Sequence, residues 1–166
     1  MIVNILIQMI GIVAFILLTV SYWFKSKLWF IIFQLVAYCL YGLHYMLLGG
    51  LAGTWCNLVG VIILFLLLYK EKSEKNCYFL IPIIFLLFVP GIIWFYDGIL
   101  SLLPVGATAV SMLANWSKKM LIIKIGGIVG AALWLSYGIS VLSYATMLTE
   151  TIFIISTIIS VFYKKE

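Results

Sequence analysis

Apolar residues run through this chain in long stretches, each approaching the ~20 residues that cross a bilayer as a helix, and only short polar or glycine-bearing interruptions break them. Seven helices are predicted, near Ile2 to Phe24, Leu28 to Leu48, Leu51 to Tyr69, Cys77 to Tyr96, Ile99 to Trp116, Met120 to Leu142 and Tyr144 to Tyr163. The connectors Gly49-Gly50, Asp97-Gly98 and Ser143-Tyr144 are very short but have sensible turn chemistry. Pro82 and Pro90 in the fourth stretch and Pro104 in the fifth predict bent helices.

Composition agrees with this pattern. Of 166 residues, 66% are apolar and only 9% charged, with a mean hydropathy of +1.28. These values exclude a soluble Rossmann, barrel or sandwich enzyme. The length fits one integral membrane domain, residues 1–166, with no catalytic module outside the bilayer. The ten basic residues are all lysines and the net charge is +5, which might suggest nucleic acid, but the lysines sit between apolar runs. Lys25 and Lys27 follow the first span, Lys70, Lys72 and Lys75 the third, Lys118 and Lys119 the fifth, and Lys164 and Lys165 the seventh. Basic loops stay cytoplasmic, so the N-terminus is expected outside and the C-terminus inside. Lys124, within the sixth span, is expected to snorkel to the inner headgroups. Trp23, Trp29 and Trp116 near the inner boundary, and Trp55, Trp94 and Tyr144 near the outer one, suit interfacial belts. The start of the chain has no basic region or small-residue cleavage site, so the first stretch is expected to be a retained span. Cys39, Cys56 and Cys77 have neither disulfide nor metal spacing and are expected to be apolar fillers.

Sliding the chain on itself by 93 positions lays helices 1 to 3 over helices 5 to 7: Trp23 falls on Trp116, Lys25 on Lys118, Leu28 on Leu121, Leu40 on Leu133 and Ala52 on Ala145. At the same offset Tyr41 meets Trp134, His44 meets Tyr137 and Asn57 meets Glu150. The expected fold is therefore an all-α membrane protein of two parallel three-helix repeats, residues 1–72 and 98–166, joined by a linker helix at 76–97. Solute sites in such proteins lie between the repeats.

Asn57 and Glu150 each lie about six residues, roughly 9 Å, below the outer ends of their helices, and His44 and Tyr137 fall in the same layer. One shared cavity would satisfy all four. Thr146, Glu150 and Thr157 form a stripe on the last helix with Thr149 beside it, and Gln34, Tyr38, Tyr41 and Tyr45 form one on the second. An ionisable group inside a span costs about 2.5–3.5 kcal/mol and usually serves function. The alternative is a protonated Glu150 that hydrogen-bonds a neighbouring hydroxyl. Asn57 is a solute ligand or an interhelical clamp, His44 a site residue or a headgroup anchor, and Tyr41 and Trp134 stacking platforms or bundle filling. Gly126, Gly127 and Gly130 suit close helix approach, and Asp97 a solvated turn. One histidine builds no zinc centre, no phosphate loop occurs, and no nucleophile has an evident base. No cofactor, metal or catalysis is expected.

The segments Gln8-x-x-Gly11, His44-Tyr45-Met46-Leu47-Leu48-Gly49, Asn57, Leu102-Leu103-Pro104 and Thr149-Glu150 resemble the bacterial inner-membrane YgjV family, within the SWEET, PQ-loop and PnuC superfamily. The resemblance implies a 3+1+3, SWEET-like transporter fold in the bacterial inner membrane. In the sugar-carrying relatives, asparagines on the third and seventh helices hold the solute, with aromatic residues of the second and sixth nearby. Asn57 matches the first asparagine position and Glu150 occupies the second. The chain departs from those relatives in having no Pro-Gln dipeptide and no proline in helix 1, and in the carboxylate at position 150. The expected partners are the bilayer and a small polar solute, carried by rocking of the two bundles as a facilitator or with proton coupling, through Asn57, Glu150, His44, Tyr41, Trp134 and Tyr137. A non-transporting receptor using the same pocket is the alternative.

Overall fold

Residues 2–21, 24, 27–73, 80–117 and 119–162 are described by the structure, a computed structural model. Trp23, Lys25, Lys75, Cys77, Lys118, Tyr163, Lys164 and Lys165 lie outside the described residues. The described chain is helical throughout: α1 (Ile2–Ser21), α2 (Lys27–Leu47), α3 (Leu51–Ser73), α4 (Leu80–Trp94), α5 (Leu103–Trp116), α6 (Met120–Ser140) and α7 (Tyr144–Phe162). No strand occurs among the described residues.

The largest departure from the expected spans precedes α5. Residues Ile99–Leu102 form a 3-10 turn, and Pro104 stands in the first turn of α5. Its missing N–H costs nothing there, so it starts the helix where a bend was expected. Pro82 likewise falls in the first turn of α4, which leaves Pro90 as the proline inside that helix. Gly98, at φ 81°, supplies the turn between them, and the Ser101 hydroxyl closes it on the Gly98 carbonyl at 2.7 Å. Asp97 is exposed there, as a solvated turn residue should be.

Two stretches, Asn4–Ser21 and Leu121–Ser140, are long and apolar enough to cross a membrane by themselves. The apolar stretches of α2, α3, α4, α5 and α7 are shorter. Burial is inverted relative to a soluble globule, in which polar residues are mostly exposed. Ile5, Ile16, Leu86 and Ile93 are exposed, whereas Ser21, Gln34, His44, Asn57, Ser143, Thr146, Thr149 and Thr157 are buried. In lipid this inversion is favourable, because interior polar groups satisfy one another while apolar side chains face acyl chains.

Helices α1, α2 and α3 pack in sequence, as do α5, α6 and α7, and the two groups meet where α3 touches α5 and where α1 touches α7. Helix α4 packs on α3. The Trp55 indole N–H donates to the Leu87 carbonyl at 2.9 Å, and Gly91 leaves room for its ring. Trp55 therefore fastens α4 to α3 and is half-buried, in place of its expected role in an interfacial belt, while Trp29, Trp94 and Tyr144 are exposed. Between α5 and α6, Gly126 faces Ala114 and Gly130 faces Ser111 and the Ala107 carbonyl, so their expected role in close approach applies to this pair. Gly127 faces Phe153 of α7.

The α2–α3 and α6–α7 connectors are built alike. Gly50 N–H donates to the Tyr45 carbonyl at 2.8 Å, and Ser143 N–H to the Gly138 carbonyl at 2.8 Å. Each helix ends on a left-handed residue, Gly49 at φ 78° and Leu142 at φ 55°, in the Schellman pattern. Positions 49 and 142 are again 93 apart. A left-handed leucine costs roughly 1–2 kcal/mol that glycine avoids, part of which glycine returns in unfolded-state entropy. Leu142→Gly is expected to raise the apparent stability of detergent-purified protein by about 0.5–1 kcal/mol, read from thermal unfolding, and a lowered midpoint would refute this account of the turn.

Candidate functional site

A cavity of about 370 Å³ lies between α1–α3 and α5–α7. Of the expected site residues, Tyr41, Asn57, Trp134 and Glu150 line it. Its walls also include Tyr38, Tyr45, Cys56, Thr108, Ser111, Thr146 and Thr149. The 93-residue offset organises the lining, which contains the pairs Leu18 and Ser111, Tyr38 and Ala131, Tyr41 and Trp134, Cys56 and Thr149, Asn57 and Glu150, and Gly60 and Phe153. Positions 93 apart thus face one space.

His44 and Tyr137 are not lining residues. Both are buried above the cavity, near the α2–α3 and α6–α7 turns. His44 Nδ1 lies 2.8 Å from the Ile7 carbonyl, and a carbonyl only accepts, so Nδ1 carries a proton. Its Nε2 is 2.7 Å from the Ser143 hydroxyl. With both ring nitrogens engaged, His44 ties α2 to α1 and to the start of α7. Gly11 makes this possible, since a Cβ there would fall 2.6 Å from the Ala145 Cβ and 2.9 Å from the His44 ring. The Tyr137 hydroxyl accepts the Gly53 N–H at 3.1 Å and so ties α6 to α3. His44 and Tyr137, paired by the offset, therefore make corresponding ties between the halves.

Further ties lie between these and the cavity. The Tyr41 hydroxyl is 2.6 Å from Thr149 Oγ1, and the Thr149 hydroxyl donates to the Ala145 carbonyl at 2.8 Å. The single Thr149 proton is thereby used, so Tyr41 donates to Thr149. The Tyr45 hydroxyl is 2.6 Å from Thr146 Oγ1, which is 2.8 Å from the Ser143 hydroxyl. A row of polar contacts thus runs from Tyr45 through Thr146 and Ser143 to His44. At the same end, Gln8 donates to the Leu142 carbonyl at 2.9 Å and accepts the Tyr144 N–H at 3.1 Å. The rings form a layer: Tyr45 stacks on Trp134 at 5.6 Å and 28°, and Tyr137 lies 5.5 Å from Tyr45 and 6.1 Å edge-on from Trp134.

The alternatives left open for Asn57 and Glu150 narrow. The Asn57 amide donates to the Gly53 carbonyl one turn back on its own helix, at 2.9 Å, so this bond clamps no second helix. Among the described residues no hydrogen bond or ion pair reaches the Glu150 carboxylate, and the adjacent Thr146 and Thr149 hydroxyls are engaged by Tyr45 and Tyr41. Tyr45 and Thr146 stand at i, i+4 to Tyr41 and Glu150, and that spacing, with Thr149 beside the α7 stripe, is the signal that places these residues in the site. Cys56, Thr108 and Ser111 carried no comparable signal. Cys39 is exposed and Cys56 buried, both as free thiols. Lys124 is half-buried in α6, and no group of three or more metal-ligating side chains occurs among the described residues.

No curated protein and no solved structure matches the chain. A family model does, over residues 5–165, and the inverted burial of the helices accords with its description. The chain belongs to the YgjV family of bacterial inner membrane proteins.

Proposed function

We propose that the chain crosses the inner membrane seven times, N-terminus outside and C-terminus cytoplasmic, as two like-oriented three-helix repeats joined by α4. In this reading it carries a small polar solute by alternating access and performs no catalysis. The observation that carries the proposal is a cavity between the halves, lined by 93-offset pairs and holding a carboxyl group with no hydrogen-bond or ion-pair partner among the described residues. Exchange of α1, α2 and α3 with α5, α6 and α7 turns the α3–α5 contact into α7–α1, as a twofold axis along the membrane normal would. The same exchange relates the His44 and Tyr137 ties. With the N-terminus outside, these ties close the outer end. The cavity reaches Leu18 near the end of α1 and Ile123 near the start of α6, so it extends toward the cytoplasm.

The test is entry of radiolabelled ethanolamine, agmatine, choline and glucose into sealed vesicles containing the purified protein. Saturable entry of at least one above protein-free vesicles is expected. Saturable binding without entry would replace the carrier by a receptor, and neither binding nor entry would remove the cavity from function.

A further inference from the structure

The polar groups around Glu150 have a common sense. Thr149 gives its proton to the Ala145 carbonyl, Tyr41 gives its own to Thr149, and Thr108 gives its own to the Pro104 carbonyl at 2.8 Å. Asn57 uses one amide proton on Gly53 and retains the other beside its carbonyl oxygen, and the Ser111 hydroxyl also lines the cavity. What these groups still offer to the cavity is mainly lone pairs. The Glu150 carboxyl adds acceptors and an ionisable acid that a cation can hold as its anion, and no lysine is among the lining residues. The aromatic side chains Tyr41, Tyr45 and Trp134 are also among the lining residues, and aromatic rings attract cations. An anion would meet the carboxylate and few donors. A neutral polyol would leave the charge unanswered, and a quaternary ammonium would leave the oxygen acceptors unfilled.

We infer that the cavity takes an organic cation bearing N–H donors, a primary ammonium or a guanidinium, with its charged end on Glu150 between Asn57 and Tyr41. This names the solute class of the site proposed above and rests on that cavity being a solute site; it does not require transport. Presenting the Tyr41, Thr149, Thr108 and Asn57 oxygens costs the protein little, because those side chains are already held by the bonds just described.

The experiment measures binding to the full chain in lipid nanodiscs by tryptophan fluorescence and thermal shift. The probes are ethanolammonium and agmatine; the controls are choline, which keeps the charge without N–H donors, glucose, which has donors without charge, and sodium chloride. The two N–H cations should bind roughly tenfold more tightly than choline or glucose. Glu150→Gln should bring that preference to within about twofold, and Glu150→Asp should keep most of it, which separates loss of charge from loss of fold. Equal binding of choline, tighter binding of glucose, an equal effect of sodium alone, or no binding by either N–H cation would each overturn the inference. Binding of the cations without vesicle entry would leave it standing and remove the carrier reading, whereas entry of glucose without cation binding would do the reverse.

Discussion

Glu150→Gln is expected to abolish solute uptake while leaving the protein folded and inserted. Glutamine has nearly the shape of glutamate, and among the described residues the carboxylate has no hydrogen-bond or ion-pair partner whose loss could unfold the chain. A charge placed inside a span costs about 2.5–3.5 kcal/mol on insertion scales. Its removal should therefore leave apparent thermal stability unchanged or raised. The uptake signal should fall to that of protein-free vesicles, because the variant keeps the cavity and deletes the one carboxyl group among its lining residues. Two measurements on one preparation suffice: thermal unfolding, and entry of the best-accepted probe across a pH series. Normal uptake at every pH would remove Glu150 from the mechanism, and a collapsed melting temperature would show that the carboxylate serves packing instead.

The second large effect is expected at Gly130. Here α6 lies so close to α5 that a Cβ would collide with the Ser111 hydroxyl and stand 3.1 Å from the Ala107 carbonyl, which is backbone and yields little. Overpacking of a tight interior typically costs 1–3 kcal/mol, so Gly130→Ala should destabilise by about that amount. Gly130→Leu should yield no folded protein by size-exclusion chromatography. The control lies on the same helix pair: at Gly106 an added Cβ would meet only a Leu133 methyl at 3.6 Å, an ordinary contact. Gly106→Ala should be neutral or slightly stabilising, since alanine favours the helix by about 0.8–1.0 kcal/mol over glycine. Equal melting temperatures for the two alanine variants would show that the seam between α5 and α6 is looser than these distances imply.

Much of the architecture is legible in the sequence because long apolar runs parted by short polar or glycine-bearing breaks prescribe successive helices. All seven expected spans appear as helices with ends shifted by a few residues, and the greatest shifts occur where local chemistry acts, as at Pro104. The candidate site is legible in part. Asn57, Glu150, Tyr41 and Trp134 stand out by type and offset, and all four line the cavity. His44 and Tyr137 were placed by depth along the helix, and depth does not reveal rotation about the axis or which partner takes each polar atom. Thr108 and Ser111 were hidden for a related reason: a lone hydroxyl in an apolar span bonds its own backbone as readily as a solute, and only packing determines which groups share its surroundings. Trp55 was similarly ambiguous, since an indole suits an interface and a helix contact equally.

The ties at the His44 end have a consequence for how that end parts. They join hydroxyls, an imidazole, amides and carbonyls, and none is a salt bridge. Each contributes on the order of 1 kcal/mol net, because water can take over a broken bond. Wetting of that seam would therefore release it step by step, without stranding a buried ion. The lasting resistance would come from peeling the Tyr45 ring off Trp134, which makes the aromatic layer a threshold set more by shape than by charge.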